Sequence, residues 1–558
     1  MTIFSVNNAS ELTSALAKAQ GGDRIELGSG NYGDVAIKGK SFASNVTITA
    51  QDSSHPPVFN TIKMVGSSNI VFDSISVDFH PTTATKDWTP AFQATSSHGI
   101  QVLNSTFVGG NSVGGIDPNN LNQNAGAYGV KGFPIGQGMS FVKSSDITVD
   151  GNKMTGFTHS VKFVGVDNIQ LNNNEISDFR KVPVSGSDLN NVHLEGNYFH
   201  DANPWNFGPK GDHGDFVHFW TTPKQTGASQ NFVFVDNFFD QGNGKAVLGI
   251  YLDDNTNNKG FTNVLIEDNI IHNGNGQALR MEDVVGLTIR DNTIVGTPQN
   301  GNVIPKIILD NGTKNVLIDN NIYSGVGGVA AQNAQANGIV FGHNVTTQIT
   351  DASKPDYAGY IFAHGVTGAG AIADFNVIAG SLGAGMGAHV SGLPHTPSLP
   401  SGPSTGVSPT SPGTVAGATP DAGTAAPATP VKDAAQSTAD SGAIKVTEGS
   451  HGPQATTVEK HGAVATSTQE ATTAQNQESG ATAKVAIVGD HLVVAQATEP
   501  APVVPAKVWA GFFASTAVSE VAVTKVGAVA NSDFASQIDH FATHEEVHLG
   551  REAGHWWG

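Results

Sequence analysis

The chain has 558 residues, with 28 Lys+Arg against 48 Asp+Glu and a net charge of −20, which weighs against nucleic acid as a partner. There is no cysteine, so disulfide frameworks, Cys-ligated zinc and thiol nucleophiles are excluded. With 66 glycines and 14% charged residues, the composition suits short strands joined by many tight turns.

The opening stretch, MTIFSVNNASELTSALAKAQ, lacks a basic segment running into an apolar one, so no secretory signal peptide is expected; no stretch of the chain is long and apolar enough to span a membrane. Inside it, Asn and Ser capping residues precede an apolar stripe at Leu12, Ala15 and Leu16, which predicts a short helix. One phrase then recurs: ITVDGNKM, IQLNNNEI, VHLEGNYF, FVFVDNFF, VLIEDNII, LTIRDNTI and VLIDNNIY. Its Asn falls at 152, 174, 197, 237, 269, 292 and 321, with the shortest steps 22 and 23 residues. Looser copies, IVFDSISV and IQVLNSTF, extend the series toward the N-terminus and are read with Ser in the Asn slot. Period-2 strands at this spacing predict a parallel β-solenoid whose Asn residues stack as a structural ladder. The predicted helix covers its otherwise sticky open end.

The capped helix, the Gly-Asp-x-Ile-x-Leu of GDRIEL, the Gly-x-Tyr turn of GNY and the Asn-laddered coils resemble the pectate-lyase-like superfamily. That resemblance covers roughly residues 1–375. It implies an all-β, right-handed parallel β-helix with an N-terminal capping helix. It also implies a group of polysaccharide lyases, uronan epimerases and phage or bacterial β-helix proteins. Residues 376–485 are read as an Ala/Thr/Pro/Ser/Gly-rich linker that cannot bury enough apolar surface to fold. Residues 486–558 form a C-terminal segment with a short helix through Phe534, Ile538 and Phe541 and an expected role in secretion.

Aligning the second strand of each coil on inward pairs Val161/Phe163, Val182/Val184, Val217/Phe219, Leu248/Ile250 and Leu279/Met281 predicts two outward columns. The first reads Ser140, Lys162, Pro183, His218, Gly249, Arg280; the second reads Val142, Val164, Ser185, Trp220, Tyr251, Glu282. Pro183 and Gly249 are expected to leave room for a ligand. Lys162, His218 and Arg280 then lie about 10 Å apart in turn, two coils each. Two insertions, 108–138 and 201–215, are expected to wall this surface. The second ends in KGDHGDFVHFW, which places Asp212, His213, Asp215 and His218 at the mouth of a strand.

On a uronic-acid polymer, such a surface can remove the C5 proton. His213 or His218 is the candidate base, oriented by Asp212 or Asp215, with Arg280 or Lys162 neutralising the carboxylate and Tyr251 as acid. Lys162, Trp220 and Glu282 are candidate substrate contacts. Clustered acids, Asp253–Asp254 and Glu282–Asp283, offer oxygen ligands for calcium, the one cofactor considered; no metal ligand is assigned. GDHGD lacks the Pro of the Asp-Pro-His motif of uronan epimerases, so no role is carried over from them. The alternatives are a glycoside hydrolase using Asp215 and Glu282, and a non-enzymatic adhesin, matrix or phage receptor-binding protein. The motif series of β-helix polygalacturonases is absent. HEEVH at 544–548 matches a zinc-protease pattern, but lies within fifteen residues of the end. The expected setting is extracellular, reached without an N-terminal signal, as by type I secretion. The expected partner is an acidic polysaccharide, with a monomer expected unless the protein is a trimeric phage spike.

Overall fold

The computed structural model describes residues 1–206, 210–254, 259–298, 303–364 and 371–390, and the strands Val485–Val488 and His491–Val494. Between Ile3 and Thr346 nearly every strand joins one continuous parallel array in which each coil pairs with the next. Each coil has three faces. Face A carries residues 147–150, 169–172 and 192–195 in register; face B carries 139–142, 161–164, 184–187 and 217–220; face C carries 153–155, 175–177 and 198–200. The cause is alternation. In Gln137–Asp150, Met139, Phe141, Ile147 and Val149 point inward and are wholly buried. Inward side chains stack on their neighbours in the next coil, as Phe141 does on Phe163 (5.5 Å between centroids) and Phe199 on Phe239 (4.9 Å). Each buried aromatic contributes roughly 1.5–3 kcal/mol of transfer free energy.

The asparagine column forms the predicted ladder at the bend between faces A and C. The Asn269 side-chain oxygen accepts the backbone N–H of Asn237 at 3.0 Å and its amide N–H at 2.9 Å. The Asn237 amide also donates to the carbonyls of Leu194 and Val235, both at 2.9 Å. Ser105 and Asn344 continue the ladder at its two ends. In the other loose copy, Ile75 and not a serine sits at the ladder position, donating its N–H to Ser105. Asn237→Ala leaves the buried Asn197 N–H without its side-chain acceptor and takes a donor from the Leu194 and Val235 carbonyls, of which Val235 keeps the Gly196 N–H. It should cost about 1–3 kcal/mol, read as a lower urea midpoint with unchanged slope. A second ladder, at the bend between faces B and A, runs through Asn168, Asn191, Asn231 and Asn263. All four hold positive φ of 53–62°, a region Asn tolerates better than most residues.

The helix Ala9–Lys18 covers the first coil as expected. The Asn8 side chain caps it by accepting the Glu11 N–H at 3.0 Å, and Leu12, Ala15 and Leu16 are buried. At the other end, packing continues beyond the expected boundary at 375. On the outside of face C, Ile361, Phe362 and Phe375 bury Phe238, Ile270, Val295 and Ile322, with Val377, Met386 and Val390 packed against them. The sequence placed 376–390 in the linker because its many glycines and alanines mask the few anchors, Val377, Met386 and Val390. The two C-terminal strands form an antiparallel hairpin of their own. The rest of the expected linker, the helix through Phe534 and the HEEVH sequence lie outside the described residues. Among the described residues no helix is long and apolar enough to cross a membrane.

Candidate functional site

The outward side of face B carries the site, and its register decides which residues meet. Lys162 pairs with Ser185, Ser185 with His218, His218 with Tyr251, and Tyr251 with Arg280. His218 and Arg280 therefore share one outer column, two coils apart, as expected. The coil on either side of His218 is corrected by two residues: Ser185 replaces Pro183, and Tyr251 replaces Gly249. Leu248, Ile250 and Leu252 alternate in one coil, and in the other Val182 precedes the inward Val184 and Gly186, so a slide of two preserves which side chains point out. Gly249 opens no space for a ligand. A Cβ there would collide with the Ala278 carbonyl, so glycine serves close backbone approach.

The corrected register builds a continuous row. The Lys162 ammonium lies 5.6 Å from the centre of the Trp220 ring, which tilts against His218 at 5.4 Å. His218 stacks on Tyr251 at 4.7 Å and 8° between planes, and the Arg280 guanidinium sits 5.1 Å from the Tyr251 ring. Lateral packing leaves His218, Tyr251 and Arg280 only 8–9% exposed. Asp253 pairs with Trp220 in the second column, where the sequence alignment had placed Tyr251.

Charged partners surround this row. His218 Nδ1 is 3.6 Å from Asp215, and Nε2 is 3.3 Å from Asp253, so neither ring nitrogen faces the groove. His213 Nδ1 lies 2.8 Å from the same Asp215 oxygen; Asp215 raises this imidazole to about 9, outweighing its desolvation. A protonated His213 is no base at neutral pH. Arg280 bridges Glu282 at 2.7 Å and Asp310 at 3.1 Å. The Tyr251 hydroxyl donates to Glu282 at 3.0 Å. Burial, then Asp253, lifts Glu282 to about 7 against the opposing pull of Arg280. Burial, then Asp253 and Glu282, hold the Tyr251 phenol well above its ordinary value, so it stays protonated.

Asp212 has another task than orienting a histidine. It binds Arg180 through both oxygens, at 2.9 and 2.8 Å, while Arg180 also reaches Asp87 at 2.9 Å. Arg180 is wholly buried; burial alone would depress it, but Asp87 and Asp212 hold it above its ordinary value. Asp212 also accepts the Trp205 N–H, and the Trp205 indole donates to Pro118 in the other insertion. Trp205 packs with Ala125 and Val130. The two insertions are thus locked to each other and to the 178–181 turn.

The four acids considered for calcium split into two pairs. Asp253 shares a hydrogen bond with Glu282, and Asp254 with Asp283. The Thr221 hydroxyl also donates to Asp254. The four do not fit as one oxygen cage, and no step is derived through calcium. The hydrolase pair fares no better. Asp215, the expected partner of Glu282 in hydrolysis, is completely buried between two histidines and is not open to a glycosidic bond.

A family model described as right handed beta helix region matches residues 137–304. The fold is a right-handed parallel β-helix. Similar solved structures include a Yersinia enterocolitica family 28 exopolygalacturonase, at 9% identity and TM-score 0.36, covering 62% of this chain and 78% of that one. Another is the Azotobacter vinelandii mannuronan C-5 epimerase AlgE6 A-module, at 12% identity and TM-score 0.37, covering 61% and 90%. A third is PfbA, a surface adhesin of Streptococcus pneumoniae, at 12% identity and TM-score 0.33, covering 61% and 85%. At these identities the likeness is one of fold. No curated protein matches the sequence.

Proposed function

We propose that face B of this right-handed β-helix binds an extracellular acidic polysaccharide and removes the C5 proton of a uronic-acid unit, with Glu282 as base and Tyr251 as acid. The observation that supports this most is the Tyr251–Glu282 hydrogen bond of 3.0 Å beside Arg280. A carboxyl lifted to about 7 is well matched to general-base work near neutral pH. The phenol beside it keeps its proton and can donate. In elimination, the C5 proton passes to Glu282 and the C5 electron pair forms the C4–C5 double bond. The bond from C4 to the leaving oxygen breaks, and that oxygen takes the Tyr251 proton. Glu282 then returns its proton to Tyr251 across their hydrogen bond. Arg280 is the cation nearest the reacting carboxylate. Lys162 lies four coils away, about 20 Å, and serves a carboxylate several units along the polymer. Epimerisation is the other fate of the same carbanion.

This reading moves the base from His213 or His218 to Glu282, which the sequence had placed among substrate contacts. The test is incubation with a panel of uronans while following the ultraviolet absorbance of unsaturated ends. Product is expected with the wild type and lost in Tyr251→Phe. Binding without turnover on every uronan would leave only a glycan-binding surface. Trp220→Ala removes a ring face for a sugar two coils, roughly 10 Å, from Glu282. It should raise KM about 2- to 10-fold with little change in kcat.

A further inference from the structure

We propose that His213, Asp215 and His218 form a site for a divalent transition-metal ion of the zinc class. The inference goes beyond the proton-abstraction reading and does not depend on it. Among the described residues, these are the one group of three His, Asp or Glu residues whose ligand atoms all lie within 4.8 Å of one another. Two of the separations are 2.8 and 3.6 Å. Ligands at about 2.0–2.1 Å on a tetrahedral ion lie roughly 3.4 Å apart, so shifts of about 1 Å complete the shell.

Three further observations point to an ion. First, Asp215 is wholly buried, yet its Oδ1 has no hydrogen-bond partner among the described residues. A buried carboxylate oxygen left bare is costly, and a cation beside it removes that cost. Second, His218 has Asp253 at its Nε2, 3.3 Å away. That carboxylate fixes the Nε2–H tautomer and leaves the Nδ1 lone pair toward Asp215, the carboxylate–histidine–metal arrangement. Third, His213 is 66% exposed, so the site has an open side for a water or a ligand as fourth donor. Once an ion displaces the proton that Asp215 holds on His213, two imidazoles and one carboxylate suit zinc, cobalt or nickel, not calcium.

The test uses the full chain, stripped with a chelator and carrying His540→Ala, His544→Ala, His548→Ala and His555→Ala to silence the C-terminal histidines. Cobalt(II) is titrated by its visible absorption and zinc(II) by calorimetry. One equivalent of tightly bound ion and a tetrahedral cobalt spectrum are expected. His213→Ala, an exposed position whose loss should spare the fold, abolishes both. Asp253→Ala weakens binding about 10- to 100-fold. No saturable binding by the parent chain, or binding unchanged in His213→Ala, overturns the site. Binding with no uronan turned over leaves the site standing and removes the catalytic reading. Uronan turnover in chelator by a chain that binds no metal does the opposite.

Discussion

Arg180→Met is expected to destabilise the protein by about 3–5 kcal/mol, the largest stability change foreseen for a single substitution. Arg180 has no exposed surface and satisfies two buried carboxylates on two other loops, Asp87 and Asp212. Removing it leaves both acids facing each other in a water-poor site. Lys181 still reaches Asp87 at 2.9 Å, but among the described residues no other cation takes over the paired bonds to Asp212. The damage should spread along the insertions, because Asp212 also holds the Trp205 backbone. Urea unfolding measures the loss, and brief proteolysis should cut first within 108–138 or 201–215. Replacing Asp87 and Asp212 together with Leu in the Met variant should recover much of the stability, since the penalty lies in unpaired charge. A Met variant within about 0.5 kcal/mol of wild type, the range of ordinary surface changes, would refute the clamp.

Glu282→Gln should lower kcat about 10²- to 10⁴-fold on a uronan that the wild type converts, the usual weight of a general base. The base must be ionised, so wild-type activity should rise with pH through about 7. Asp253 stands second only to burial in lifting Glu282, so Asp253→Asn should move that limb to lower pH. The same carboxyl has a stability signature. Its ordinary value is 4.5, so between there and about 7 the folded chain holds a proton the unfolded chain has released. Stability from this group is then present at low pH and falls as pH rises through about 7. Glu282→Gln should therefore gain on wild type at pH above that window, measured by urea midpoints across the range. A Gln variant with full turnover would leave Glu282 a structural residue.

The ladder asparagines, the capping stripe and the outward direction of His218 and Arg280 were legible because each rests on periodicity. Alternation in strands and a recurring Asn are local signals that survive without any knowledge of contacts. What periodicity cannot register is a slide of two residues, and that slide hid Tyr251 between His218 and Arg280 and hid Asp253 beside Trp220. The partners of Arg180 were illegible for a different reason. Asp87 lies 93 positions away in the chain, and only the stacking of coils brings it within 2.9 Å. The Asp212–His213–Asp215 cluster looked like one site in the sequence. In three dimensions Asp212 turns to Arg180 while Asp215 turns to the histidines, because neighbouring loop residues need not share a face. Glu282 was visible as an outward acid, but its poise near neutrality depends on burial and on Asp253, neither of which spacing reveals.

Proton removal at C5 can be followed without choosing between elimination and epimerisation. Uronans are incubated with the protein in deuterated water, and C5 is followed by proton NMR. Loss of the C5–H signal, by deuterium uptake or by formation of unsaturated ends, is predicted for the wild type and not for Glu282→Gln. Retention of every C5 proton with the wild type, across mannuronan, guluronan and galacturonan, would contradict it.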